Sequence, residues 1–174
     1  MKMSVDEAED LQSELEVMYS DDTGTSLIGF VSQPFPYTEA TDKIAWQYTV
    51  EILYRLIKCG LCKVIGMQTV DPGIWPYPSE HSEEAQTRLR KFISDLAQIN
   101  PFDRSHENFE HIGAWVWPVL YTTELCDRLL DKYNIAAVDS PFSESFIEEV
   151  ESIFEAHGVP WSEEPLFPVR ASGL

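Results

Sequence analysis

WQYTVEILYRLIKCGLCKVIGM, residues 46–67, joins an amphipathic helix, a glycine stop and a short apolar strand in one run. Ile44, Tyr48, Ile52, Leu56 and Cys59 recur every four or three positions, and Ala45, Leu53 and Ile57 widen the stripe. That spacing predicts a helix buried over much of its circumference. Lys58 falls in the last turn, where its charge suits the carbonyl end of the helix dipole, and Gly60 can adopt the left-handed backbone that closes a helix. Leu61 is placed to pack back on that turn, and Cys62 to Met67 continue as a strand. The stretch is architectural, and most of the remaining elements are read relative to it.

Upstream, Ser4 and Glu7 have the spacing of a capping box and open a helix from Val5 to Tyr19 with Ala8, Leu11, Leu15, Met18 and Tyr19 on its apolar face. Leu27 to Val31 reads as a strand, and Pro34 and Pro36 make the next segment an extended connector. Downstream, DPGIWPYPS is a stiff loop. Ser79 or Ser82 caps a helix running to about Ile99 with Ala85, Leu89, Phe92, Ile93 and Leu96 inward. Ile112 to Tyr121 reads as a strand with Trp115 and Trp117 on one face, its second half demoted to an edge or bulge by Pro118. Thr122 or Thr123 caps a short helix that presents Cys126, Leu129, Leu130 and Tyr133 inward and stops at Asn134. The last helix runs from near Ser143 to His157, with Phe146, Val150, Ile153, Phe154 and His157 apolar-facing. The Pro-rich tail 159–174 has no helical period, and Trp161 and Phe167 can pin it to the body. These elements predict an α+β fold, a mostly helical single domain over residues 1–174 with a small antiparallel sheet.

Charge is the dominant global property. The chain has 174 residues, 30 of them acidic and 12 basic, for a formal net charge of -18. The excess is concentrated at the ends, in residues 1–22 and 139–174, while the middle is near balance. A potential of this sign repels nucleic acid and anionic membranes and accelerates encounter with a cationic protein. The opening residues have no apolar run of a secretory signal, and the longest apolar run is too short to cross a bilayer. Three cysteines, an odd number, suit a reducing compartment. The expected setting is therefore soluble and cytoplasmic.

Chemical motifs are sparse. Cys59 and Cys62 form a C-x-x-C, but Cys59 lies at a helix C-terminus, where the dipole disfavours a thiolate, and no second pair completes a zinc site. Buried thiols are the better reading. His106 and His111 share a loop with Asp103, Glu107 and Glu110, without the helical spacing of a metal-binding histidine pair. Neither a nucleotide-binding glycine pattern nor a nucleophile elbow occurs. No catalytic residue, cofactor or metal site is expected. Two sets of carboxylates are candidates for binding a protein. Glu144, Glu148, Glu151 and Glu155 form one stripe on the last helix, and Asp6, Asp10 and Glu14 lie on the first. A solvated helix face is the simpler account of any single one of them.

Three segments together, EILYRLIKCGLCKVIG, then GIWPY with a capped helix, then IGAWVWPVLYTT, resemble bacterial immunity proteins of contact-dependent growth inhibition and related polymorphic-toxin systems. The resemblance covers about residues 44–125. It implies a non-enzymatic antitoxin, made in the cytoplasm, that binds a cognate toxin domain; a basic nuclease toxin would also suit the acidic charge. The order helix, strand, helix, strand also resembles parts of a winged-helix domain. A winged-helix-like regulatory or adaptor protein that binds another protein is therefore the alternative. Its helix with Arg88, Arg90 and Lys91 carries too little charge to serve as a DNA reader in so acidic a chain.

Overall fold

Glu39–Lys58 forms the longest helix, α2, and its second half is enclosed on every side: each residue from Thr49 to Ile57 is buried. The computed structural model describes residues 2–20, 24–31, 38–65, 82–103, 112–135 and 140–170. Around α2 lie α1 (Val5–Ser20), α3 (Glu83–Leu96), the single turn α4 (Gly113–Val116), α5 (Glu124–Lys132) and α6 (Glu144–Ala156). Strands β1 (Thr25–Ser26), β2 (Cys62–Ile65) and β3 (Val119–Thr122) complete an α+β fold, mostly helical with a small antiparallel sheet. One apolar cluster joins all the major helices, the sheet and the tail residues Val159, Trp161 and Val169.

The helix ends follow local chemistry. Ser4 and Glu7 close the reciprocal capping box of α1, while Ser82, Thr123 and Ser143 cap α3, α5 and α6 through their hydroxyls. Three helices end in the same Schellman closure. At α2 the Leu61 N–H donates to the Leu56 carbonyl and Gly60 N–H to Ile57, with Gly60 at φ 72°. Asn134 and Gly158 take the corresponding left-handed position after α5 and α6. The α3 end lacks this motif. Its carbonyls are met from elsewhere: Leu96 accepts from the Trp46 indole, Ile99 from the Trp115 indole, and Ala97 from the Arg170 backbone. Free carbonyls at a helix end need such partners when they are buried.

The sheet has the order β1-β3-β2, with Val64 opposite Leu120 and Thr25 opposite Leu120 on the other side. The β2–β3 pair is not a hairpin wing, because α3 and α4 lie between its strands in the chain. Thr123 fastens the end of β3 to the α2–β2 turn, its hydroxyl donating to the Gly60 carbonyl at 2.6 Å.

Four sequence expectations are corrected. Ile112 to Tyr121 is not one strand: Trp115, Val116 and Trp117 N–H groups turn back to Ile112 and Gly113, burying Trp115 and leaving Trp117 52% exposed. The strand is the half after Pro118, and it is the centre of the sheet. Proline is tolerated there because it precedes the ladder, and its carbonyl accepts from the Leu27 N–H. Leu27 to Val31 is a pair of tight turns rather than a strand, since Gly29, Phe30 and Val31 N–H groups bond to carbonyls three or four residues back. Ile44, placed on the buried stripe, is 65% exposed, because the first turns of α2 are covered on fewer sides than the rest. The capping serine of α3 is Ser82; the loop at 66–81, the connector at 32–37 and the histidine loop residues 104–111 lie outside the described residues.

The tail is held by polar side chains of α2 spaced one turn apart. Gln47 accepts from Val169 N–H and donates to the Phe167 carbonyl; Glu51 accepts from Phe167 N–H at 2.8 Å. Arg55, 0% exposed, pairs with Glu51 at 2.7 Å and donates to the Val159 and Pro160 carbonyls. Its guanidinium also lies over the Trp161 ring, 4.8 Å from the centroid. Removing one member of such a buried pair strands the other charge. Arg55→Met is expected to destabilise the fold by about 3–5 kcal/mol, read as a lower urea midpoint with the denaturation slope unchanged.

Candidate functional site

Of the described helices, α1 and α6 carry the densest charge of one sign. They run antiparallel: Met3 at the start of α1 meets Glu151 late in α6, and Gln12 further along meets Ser143 at the α6 cap. Neither helix contains a lysine or arginine, whereas α1 holds six carboxylates and α6 five. The two candidate sets from the sequence therefore lie on neighbouring elements, although not all on one surface.

Gln12 bonds both to the Pro141 carbonyl and to the Ser143 N–H, and it also donates to Glu16, so this buried amide fixes the start of α6 against α1. At the other end Glu151 accepts from the Met3 backbone N–H at 2.6 Å. Between these staples lies a cleft of about 230 Å³ lined by Val5, Ala8, Phe142 and Ile147 with Glu144, Glu148 and Glu151 at its polar side. Phe142 and Ile147 stand at the N′ and N4 positions of α6, the spacing of a hydrophobic staple. Lys2 is the cation in this cleft: its ammonium bonds Glu148 at 2.7 Å, and that hydrogen bond, with the charges of Glu148, Glu151 and Glu144, holds its pKa above the ordinary value. Both partners are exposed, so the pair contributes little to stability. A second cleft, about 280 Å³, lies on the other flank between Glu9, Gln12, Ser13, Glu16, Ser140 and Phe142.

The α6 stripe therefore divides. Glu144, Glu148 and Glu155 are exposed, while Glu151 is buried and committed to the chain's own N-terminal backbone. Glu149, outside the stripe, accepts from Lys132 and from the Tyr133 hydroxyl, which holds its carboxyl below the usual range. On α1, Asp6 and Asp10 are exposed and Glu14 is partly buried on the flank facing α2. There the Tyr48 hydroxyl donates to the Glu7 carbonyl, and burial, then the charges of Asp10, Glu7 and Glu14, raise its pKa well above the ordinary value. The residues that sequence reasoning missed are Val5, Phe142 and Ile147, the apolar floor. Their signal was the pair of capped helix starts, each bordered by an apolar residue that the helical stripe does not need.

The cysteines lie in the core. Cys59, Cys62 and Cys126 are all buried free thiols. Burial pushes Cys59 and Cys126 up to about 12, and Cys62 well above its ordinary value. Among the described residues no group of three potential ligands is arranged to hold a metal. No described helix is long and apolar enough to cross a membrane. No protein-family model, curated protein or solved structure matches this chain.

Glu14 makes the acidic flank sensitive to pH. Burial first, and the charge of Asp10 second, raise its carboxyl from 4.5 to about 7. Between those values the folded chain holds a proton that the unfolded chain has released, so stability falls as pH rises through that window and stays low above it. Glu14→Gln is expected to flatten this slope and to stabilise the protein at pH 8 by on the order of 1–3 kcal/mol, measured by denaturant titration at several pH values.

Proposed function

We propose that this chain binds and neutralises a basic protein domain, as an immunity protein does its cognate toxin, using the exposed face of α1 and α6. The observation that carries the reading is the cleft between these helices, with an apolar floor and exposed carboxylates beside it, in a pair of helices without a basic residue. An apolar floor supplies contact area, and an acidic surround supplies attraction and register; surface charges alone seldom supply affinity. The family resemblance of residues 44–125 supports the toxin as the partner, and the net charge of -18 favours a cationic, nucleic-acid-binding one.

Glu144, Glu148 and Glu155 are the carboxylates assigned to the partner on α6, with Asp6 and Asp10 on α1; Glu14 lies at the margin of that surface. Glu151 acts by holding the N-terminal backbone that forms one wall of the cleft. Lys2 competes for Glu148 and gives way to a cation of the partner, because an exposed ion pair is readily exchanged.

The test uses the partner co-purified from the native locus and stopped-flow association at increasing sodium chloride. The association rate constant is expected to fall steeply with salt, and the triple substitution Glu144→Gln, Glu148→Gln, Glu155→Gln to lower it about tenfold at low salt while dissociation changes less. A salt-independent rate, or an unchanged rate in the triple variant, places the interface on another surface.

A further inference from the structure

Lys2 shows what kind of group the α1–α6 cleft holds. Its ammonium stands 2.7 Å from a Glu148 oxygen, and the charges of Glu151 and Glu144 act on it as well. Three carboxylates from successive turns of α6 thus converge on one cation position. That position is at the cleft wall and open to solvent, since the Lys2 side chain is exposed and all four residues line the same space. One exposed lysine does not balance three acids: among the described residues, neither Glu144 nor Glu151 makes an ion pair of its own.

The rest of the cleft is apolar. Met3, Val5, Ala8, Phe142 and Ile147 line its volume of about 230 Å³, and Val5 and Phe142 remain exposed there. An acidic edge beside an apolar floor suits a ligand with an apolar stem and a cationic head, which buries its methylenes and keeps its charge at the wet rim. A bare cation leaves the floor uncovered, and a purely apolar side chain desolvates the carboxylates without pairing them. Arginine suits the cleft better than lysine. Its five N–H donors can serve two carboxylates at once, and its planar head can lie on an aromatic ring such as Phe142.

We propose that the α1–α6 cleft is a pocket for one arginine side chain of the partner, seated where Lys2 now pairs with Glu148. Its stem covers Val5, Ala8, Phe142 and Ile147, and its guanidinium meets Glu144 and Glu148. The inference rests on the reading of α1 and α6 as the face that binds a basic protein, and it names the anchor of that interface. Lys2 is a built-in competitor for the pocket, displaced easily because its ion pair is exposed.

The full-length chain is titrated with the N-acetyl amides of arginine, lysine and citrulline at constant ionic strength, following the methyl resonances of Val5, Ala8 and Ile147. Arginine amide is expected to give saturable shifts with a Kd on the order of millimolar, lysine amide to bind about threefold more weakly, and neutral citrulline amide not to bind. Lys2→Ala is expected to tighten arginine binding about threefold and Glu148→Gln to weaken it about tenfold. Glu163→Gln, at an exposed tail position outside the cleft, leaves it unchanged. Phe142→Leu removes the preference for arginine over lysine. Shifts that do not saturate, that citrulline amide reproduces or that survive Glu148→Gln overturn the assignment, as does lysine binding as tightly as arginine. Methyl shifts that depend on protein concentration without ligand make a second copy of this chain the occupant and overturn it too. The two readings fail separately. Arginine binding without salt-dependent association to a protein partner removes the proposed function and leaves the pocket. Salt-dependent association that slows in the triple glutamine variant, with no amide binding, removes the pocket alone.

Discussion

The buried Glu51–Arg55 pair is the constraint on which the rest of the structure depends. A guanidinium at the centre of a protein is tolerated only when its charge is matched and its donors are used. Here Glu51 provides the counter-charge, and the tail provides the carbonyls of Val159 and Pro160. The tail therefore completes the core. It covers the polar stripe of α2, supplies Trp161 as a face for Arg55 and Phe167 as a neighbour for Tyr54, and returns through Arg170 to the open end of α3. A segment with no helical or strand period is thereby held as firmly as a strand, by side chains in place of a ladder.

The same economy recurs at the acidic surface. Gln12 and Glu151 are polar residues spent on positioning: one fixes the α6 cap and the other the N-terminal backbone. With these two at opposite ends of the α1–α6 contact, Glu144 has no ion-pair partner among the described residues and Glu148 has only its exposed pair with Lys2. A stripe of four equivalent glutamates in the sequence is, in space, one structural residue and three surface ones. The apolar floor matters as much as the charge, because a partner steered by carboxylates still needs contact area to remain bound.

Charge in this protein is sorted rather than merely abundant. The acids concentrate on α1 and α6, while the middle of the chain retains cations, two of them stacked on one tyrosine at the far end of α2.

What the sequence by itself determined is what depends on neighbours within one helical turn. The capping serines and threonines, the closures at Gly60, Asn134 and Gly158, and the inward faces of α1, α3 and α5 were all legible, because cap and stripe are satisfied by hydrogen bonds and burial within the segment. Only tertiary structure decided the rest. An apolar run such as Ile112 to Tyr121 fits a strand or a buried turn equally well by periodicity. The choice fell to the Trp115 indole reaching the Ile99 carbonyl and to β1 and β2 pairing with the residues after Pro118. Likewise Glu51, Arg55 and Gln47 read as the polar side of an amphipathic helix until the tail, more than a hundred residues later, arrived to bury them. The carboxylates that remain available to a partner are the ones this folding left over, and local spacing contains no record of which those are.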